Sequence, residues 1–346
     1  MKTQQPLAIG TGFNYSAAVD VDGNAWIWGI STFGSFGIEG MHESLDPMMI
    51  KTLSNIKAVA LGQCATYFLD YDGRIWVCGW NQFGQLGVVT GPAISLSTYK
   101  QIPDIPRVAV VSSFYNHAIF LDEEQDVWTV GWNNEGQLGL GDLLPRDTPT
   151  RINSLPKILA VSAGRSHSLF TDVNGYVWGC GYNERHQLGL NGSIFQLPTR
   201  IKEMNNIKYA EAGANHSVFI GETGEVWVCG SVSLFGAGFD DLHLGVAIVK
   251  ASASIDRTLL LDCEGEVWMD ADGDNYFRKI KNIPKMSAIK CAPRHILLLD
   301  CEGGLWSSGQ QFNSSADTEI TIPERLTLPP VSLCSPLAQV KSARKH

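Results

Sequence analysis

The stretch Asp-Val-Asn-Gly-Tyr-Val-Trp-Gly-Cys-Gly at residues 172–181 decides the fold, because seven similar stretches recur along the chain. The shared pattern is Asp-x-x-Gly-x-apolar-Trp-x-x-Gly, to which Gln125, Gly221 and Ala271 are the exceptions. Its tryptophans are Trp26, Trp76, Trp128, Trp178, Trp227, Trp268 and Trp306. They lie 50, 52, 50, 49, 41 and 38 residues apart. Such a period is typical of stacked repeats, in which each unit buries its apolar faces against its neighbours.

The fourth repeat indicates how one unit folds. Four short segments have the composition of strands, at residues 158–161, 168–170, 176–178 and 198–201. Between the second and third segments, the Asp can accept hydrogen bonds from N–H groups of the turn, and the Gly can adopt a positive φ. Four strands and their loops use about 50 residues, which is one propeller blade. The sequence therefore predicts an all-β protein, a seven-bladed β-propeller of four-stranded blades.

The propeller is expected to form a single domain at residues 1–330, followed by a C-terminal tail at 331–346. The first repeat begins with an inner-strand pattern at residues 7–9, and the last ends with an outer-strand pattern at 325–328. No blade should therefore combine the two ends of the chain. The last two repeats are the shortest, so their blades are expected to be degenerate, with short or irregular outer strands.

Charge and cysteine content narrow the class of partner. The net charge is −9, and the only basic cluster is at residues 341–346. Binding to phosphate backbones needs clustered Lys and Arg, so we expect no direct nucleic-acid partner. No stretch approaches the ~18 apolar residues of a membrane helix, so we expect no membrane partner. The eight cysteines form no C-x-x-C pair, which favours reduced thiols and a cytoplasmic or nuclear protein.

Three loops identify a family. Residues 79–87 read Gly-Trp-Asn-Gln-Phe-Gly-Gln-Leu-Gly, and residues 131–139 and 181–189 follow the same pattern. Together with the Ala-Gly-x-x-His-Ser turns at 163–168 and 212–217, they resemble the regulator-of-chromosome-condensation repeat. The resemblance covers residues 6–330 and is strongest in repeats two to four. It implies a seven-bladed propeller that works by binding proteins.

The resemblance also implies where a partner binds. The founding activity of the family is nucleotide exchange on a small GTPase, through one rim that includes the loops between first and second strands. The variable rim residues in those loops are predicted to bind the partner: Asn14, Asn116, Asn215, Asp256 and Arg294. They should lie beside the long loops 29–37, 79–87, 131–139 and 181–189.

Two functions follow from this rim. The founding exchange factor uses acidic side chains in several such loops, whereas this chain offers only Asp256. That difference favours a monomeric protein-interaction platform. The alternative is a guanine-nucleotide exchange factor for a Ran-like or Rab-like GTPase, and the sequence leaves it open.

The sequence predicts no catalytic, cofactor-binding or metal site. One repeat position carries His117, His167, His216 and His295, but no ligand set accompanies them, and each is expected to bond its turn backbone. The run Asp270–Asp274 resembles the start of a calcium loop, yet Asn275 and Lys281 stand where Gly and Glu are required. A branch of the family senses ultraviolet light with Trp before this His. Here the repeated Trp lie on third strands, where core packing is expected.

Overall fold

The computed structural model describes residues 6–231, 238–255, 257–270, 276–309 and 323–329. These residues form 28 strands and no helix, so none of the described segments offers a helix that could cross a membrane. The strands make seven antiparallel sheets, each of four consecutive strands. The prediction of an all-β, seven-bladed propeller is confirmed.

Each blade runs from the central channel outwards. The first strands are β1 Pro6–Thr11, β5 Ile56–Leu61, β9 Val108–Ser113, β13 Ile158–Ala163, β17 Ile207–Ala212, β21 Ile248–Ala253 and β25 Met286–Cys291. The second strands are β2 Tyr15–Asp20, β6 Ala65–Asp70, β10 His117–Asp122, β14 His167–Asp172, β18 His216–Gly221, β22 Thr258–Asp262 and β26 His295–Asp300. The third strands are β3 Ala25–Ile30, β7 Ile75–Trp80, β11 Val127–Gly131, β15 Val177–Tyr182, β19 Val226–Gly230, β23 Val267–Asp270 and β27 Leu305–Gly309.

The outer strands divide the ring into two parts. They are β4 Glu43–Met49, β8 Ser95–Gln101, β12 Arg146–Arg151, β16 Ile194–Ile201, β20 Asp240–Asp241, β24 Phe277–Lys279 and β28 Glu324–Leu326. Blades one to four have outer strands of six to eight residues, and blades five to seven have two or three. Short outer strands were predicted for blades six and seven and are confirmed. Blade five has one as well, because its outer strand lies within the short interval of 41 residues between Trp227 and Trp268.

The ring closes by packing rather than by a shared strand. Within the described part of the chain, every sheet is built from consecutive strands, so no blade combines the two ends, as predicted. Blade seven meets blade one through an apolar cluster that includes Trp26, Leu297 and Leu328. Ser16 Oγ and His295 Nε2 lie 2.7 Å apart across the same seam.

The repeated Asp ties the turn to the third strand. Asp172 Oδ1 accepts the N–H groups of Asn174 at 2.9 Å and Tyr176 at 3.0 Å, and Gly175 supplies φ +77°. Asp172 Oδ2 accepts the indole N–H of Trp178 at 3.0 Å. The same indole-to-carboxylate bond measures 2.8–3.1 Å in the five other blades that carry the Asp. In blade five, a Cβ on Gly221 would come 3.1 Å from the Trp227 ring.

The core consists of seven apolar layers, one between each pair of neighbouring blades. Each repeated Trp packs into the layer that faces the preceding blade, as the placement of Trp178 beside Ile119 and Ile158 illustrates. The expectation that these Trp pack in the core is confirmed. Trp26 is fully buried and the other six are half-buried. The indole reaches towards its Asp in a surface turn, which leaves part of the ring near solvent.

Replacing Trp178 by Ala should lower the free energy of unfolding by about 3 kcal/mol, because it empties part of an inter-blade layer and removes the indole donor of the buried Asp172 Oδ2. Trp80 lies on the rim loops outside the repeat position, and Trp80→Ala should cost less. Urea unfolding of both variants at equal m-value measures the difference. Equal costs would contradict the structural role assigned to the repeat position.

Candidate functional site

The two faces of the ring differ in what their loops offer. We call the loop face the side that carries the connections between first and second strands and between third and fourth strands. The turn face carries the short Asp-x-x-Gly turns and the connections between blades. On the turn face, the repeated carboxylates are buried and occupied by their own turns and indoles. Side chains that differ from blade to blade are therefore concentrated on the loop face.

The described residues of the predicted binding rim lie on the loop face with unequal exposure. Arg294 is exposed, Asn14 and Asn215 are half-buried, and Asn116 is only 8% exposed; Asp256 lies outside the described residues. The backbone carbonyl of Asn14 accepts Ile30 N–H at 2.9 Å, and that of Asn116 accepts Trp132 N–H at 2.9 Å. These positions therefore anchor the long loops, and Arg294 is the described member whose side chain is most available.

An aromatic strip crosses the loop face of blades one to three, and sequence reasoning missed it. The strip consists of Phe33, Trp80, Phe83 and Trp132, with successive ring centroids 5.3, 5.2 and 4.3 Å apart. Phe33 is 46% exposed, and the other three rings are half-buried. The available signal was the spacing, because aromatic residues at the second and fifth positions of the long loops meet between neighbouring blades.

Further aromatic side chains lie at the channel mouth on the same face. Phe13 of blade one contacts Phe114 and Tyr115 of blade three, with ring centroids 6.0 and 5.5 Å apart. The Arg165 guanidinium lies 5.2 Å from the centroid of the Tyr115 ring. A cation over an aromatic face adds to the attraction between these loops. The mouth is thereby bridged above blade two.

The central channel holds a cavity of about 330 Å³, and its polar side chains bond within the ring. Ser112 Oγ accepts Ala163 N–H at 3.0 Å, so a first strand of one blade is joined to that of the next. Ser162 Oγ donates to a Glu211 carboxylate oxygen at 3.1 Å. Internal pairing of this kind makes the channel a structural support for the loop face.

A belt of side-chain hydrogen bonds links neighbouring blades below the loop face. The histidine Nε2 atoms lie 2.7–3.0 Å from a hydroxyl of the next blade, in the pairs His117–Ser168, His167–Ser217, His216–Thr258 and His295–Ser16. The expectation that these histidines bond their turn backbones is wrong, because the ring points sideways into the adjacent blade. Where the His position holds Tyr15, its hydroxyl lies 3.2 Å from Thr66 Oγ1.

The belt also fixes the long loops. Ser168 Oγ donates to the Gln137 carbonyl at 2.7 Å, and Ser217 Oγ donates to the Gln187 carbonyl at 2.6 Å. Since each hydroxyl hydrogen is used on that carbonyl, His167 must donate from Nε2–H to Ser217. Gln137 and Gln187 are therefore held by the next blade, whereas the Gln85 carbonyl accepts the hydroxyl of Tyr67 from its own blade at 2.7 Å.

Burial keeps the belt histidines uncharged. It lowers the pKa of His117, His216 and His295 to about 4, and that of His167 to about 3. In the described part of the chain, no three His, Cys, Asp or Glu side chains are grouped to hold a metal ion. Of the candidate calcium run, Asp270 is described, and its Oδ1 accepts Thr258 N–H at 2.6 Å; residues 271–275 lie outside the described residues.

Comparison with known families agrees with this geometry. A model of the regulator of chromosome condensation (RCC1) repeat matches residues 124–171 and 174–220, and a second model of the repeat matches 56–85 and 158–187. The chain contains RCC1 repeats. Among curated proteins, the ultraviolet-B receptor UVR8 of Arabidopsis thaliana is 26% identical over 143 residues, which are 41% of this chain. The match covers 32% of the receptor, about a third of its length.

Solved structures share the RCC1-repeat fold. Human WBSCR16 is 16% identical with a TM-score of 0.78, and the match covers 86% of this chain and 87% of that chain. Prp20p from Saccharomyces cerevisiae, described with its binding to Gsp1p and histones, is 19% identical with a TM-score of 0.76. That match covers 94% of this chain and 87% of Prp20p. At these identities the likeness establishes the propeller fold.

Acidification should begin to destabilise the RCC1-repeat ring at a pH where most carboxylates are still ionised. Unfolded histidines bind protons near their ordinary pKa of 6.5, whereas the belt histidines stay neutral until about pH 4. Their contribution to stability is therefore complete above about pH 6.5 and is lost progressively as the pH falls towards 4. His167→Gln keeps a donor for Ser217 and should reduce the loss between about pH 7 and 5.5 by about 1 kcal/mol.

Urea unfolding at both pH values measures this change. His42→Gln, at an exposed histidine, is the matched control and should lose as much stability on acidification as the wild type. An unchanged pH dependence in His167→Gln would show that the belt is not the source of the effect.

Proposed function

We propose that the chain is a protein-interaction platform whose partner docks on the loop face. The observation that carries the proposal is the aromatic strip, which exposes Trp and Phe rings on loops of three adjacent blades. Large aromatic side chains and arginines supply most of the binding energy in protein interfaces. A monomeric protein with no partner gains little from holding such rings at its surface.

The loops that carry the strip are held in place before a partner arrives. Asn81 Oδ1 accepts Leu86 N–H at 2.9 Å, and Asn133 Oδ1 accepts Leu138 N–H at 2.9 Å. The strip therefore loses little conformational freedom on binding, which favours affinity. The turn face offers nearly uniform turns instead, with their carboxylates already bonded. This contrast supports the loop face as the docking face.

Cysteine chemistry supports a reducing compartment. The seven described cysteines are free, and burial raises the pKa of Cys78 to about 12. Free thiols, four of them buried, suit the cytoplasm or the nucleus, where we place the protein.

Loop-face substitutions should abolish partner capture from cell lysate without unfolding the ring. We expect Phe33→Asp, and the pair Asp256→Lys with Arg294→Glu, to lower recovery of bound protein about tenfold. The matched turn-face variants Val21→Asp and Arg74→Glu should capture partners as the wild type does. Quantitative mass spectrometry of the bound proteins and thermal unfolding of each variant measure the two effects. Loss of capture confined to the turn-face variants would place the docking face on the opposite side.

The second candidate is a guanine-nucleotide exchange factor for a Ran-like or Rab-like GTPase. It is favoured by the propeller fold that this chain shares with Prp20p, a protein described as binding Gsp1p. An exchange factor acts by binding the nucleotide-free GTPase more tightly than the loaded form, so it needs no chemical active site. A Ran-like or Rab-like partner would dock on the same loop face.

Chelation distinguishes the two candidates. EDTA removes Mg²⁺ and releases nucleotide, so it enriches a GTPase on an exchange factor and leaves other partners unchanged. For a platform, we expect capture to be insensitive to EDTA and release of fluorescent GDP from Ran-like and Rab-like GTPases to keep its intrinsic rate. Acceleration of release by the full chain, lost in Phe33→Asp, would favour the exchange factor instead.

A further inference from the structure

A groove opens on the loop face of blade two, beside the aromatic strip. We call it the blade-two groove; it encloses about 440 Å³ and is lined by residues 81–84 and 88–94, Pro145 and Asp147. It is separate from the central channel, whose lining comes from the first strands. Phe83 belongs both to the strip and to the groove wall.

Exposed apolar side chains stand around the groove, beside polar side chains of the same walls. Val89 is 69% exposed and Ile94 is 52% exposed, and Leu144, next to the lining residue Pro145, is 64% exposed. Residues 81–94 contain no charged side chain. Exposed apolar side chains are common singly, but a wall of them around one groove indicates a docking site.

One carboxylate gives the groove its charge. In the described part of the chain, no basic side chain lies within 4.0 Å of Asp147. The neighbouring Arg146 is already paired with Asp142 at 2.6 Å. Gly84 allows the backbone of Asp147 to lie close to the long loop, because at φ +77° a Cβ there would come 2.5 Å from the Asp147 Cα. A negative charge therefore stands without an ion-pair partner beside the exposed apolar side chains of the groove.

The groove is rigid on its outer side. Asn81 Nδ2 donates to the Val88 carbonyl at 3.0 Å and to Thr90 Oγ1 at 3.3 Å. The Thr90 hydroxyl in turn donates to the Ala93 carbonyl at 2.5 Å. These hydrogen bonds join residues of the same loop across the groove rim. The groove is therefore formed before a ligand binds.

We propose that the blade-two groove binds a segment of the partner protein in which a large apolar side chain stands beside a Lys or Arg. The apolar side chain packs against Phe83, Val89 and Ile94, and the cation pairs with Asp147. This ligand assignment rests on the proposed function, because the groove is part of the loop face on which a protein partner docks. Charge complementarity selects the basic residue, and the exposed Val89 and Ile94 side chains select its apolar neighbour.

Peptide selection tests the proposal. Random peptides displayed on phage are selected against the full chain, and enriched sequences are synthesised with a fluorescent label for anisotropy measurements. We expect enriched peptides to carry Lys or Arg within a few residues of a large apolar side chain. Their affinity should fall at least about tenfold for Asp147→Lys and for Val89→Asp. The matched turn-face controls Asp22→Lys and Val21→Asp should bind as the wild type does.

A charge exchange sharpens the test. Replacing the basic residue of a selected peptide by Glu should weaken binding to the wild type and restore it on Asp147→Lys. Enriched peptides without a basic residue, or affinities unchanged by Asp147→Lys and Val89→Asp, would overturn the proposal. A dimer in sedimentation that Val89→Asp dissociates would also overturn it, because a second copy of the chain would then occupy the groove. Much tighter peptide binding by a chain ending at Pro329 would overturn it as well, because the C-terminal segment would then be the occupant. If the groove variants bind normally while Phe33→Asp still abolishes partner capture, the groove fails and the loop-face function stands.

Discussion

A buried carboxylate must be surrounded by donors, and in six of the seven blades this requirement shapes the blade. The repeated Asp receives two backbone N–H groups from its own turn and an indole N–H from the third strand, and the side chain is almost fully enclosed. Leaving such a group unsatisfied would cost several times the gain of an ordinary hydrogen bond. The turn conformation, the position of the Trp and the layer into which it packs therefore follow from one side chain. Blade five keeps the geometry without the Asp, since the glycine at 221 lets the Trp227 ring approach closely.

A second set of bonds acts between blades and sets the loop face. Each belt histidine is hydrogen-bonded to a hydroxyl of the next blade, and in blades four and five that hydroxyl donates to the Gln carbonyl of the preceding long loop. The two members of a belt pair change together from one junction to the next. Tyr15 pairs with Thr66 between blades one and two, and Ala65 and Ala118 occupy the two positions between blades two and three. The long loops are thus positioned by their neighbours, which is why aromatic rings from different blades can form one strip. Rigid loops on a varied rim are the usual basis of specific binding.

The fold was accessible from the sequence because its determinants lie within one repeat. Asp172, Gly175 and Trp178 are close in the chain, so their turn could be recognised, and seven copies gave the number of blades. Features between repeats were not accessible in the same way. The hydroxyl partner of His167 lies 50 residues away, and Phe83 meets Trp132 across a similar separation. A pattern within one repeat gives the surface position of a side chain and leaves its neighbour in the next blade undetermined. For the same reason the predicted rim included Asn116, whose side chain the surrounding loops almost completely cover.

Because no described sheet contains strands from both ends of the chain, the seven junctions between blades differ in how they are held together. Six junctions are bridged by the covalent chain, which runs from the outer strand of one blade to the inner strand of the next. In the described part of the chain, the junction between blades seven and one is held by side chains: the layer around Trp26, the Ser16–His295 contact and the bond from Thr11 Oγ1 to the Cys291 carbonyl at 3.2 Å. A force applied to the two ends of the ring would part it along this line first and leave six intact layers behind. Each blade is also a contiguous piece of sequence, so gain or loss of a blade by duplication or deletion would cut no sheet in two.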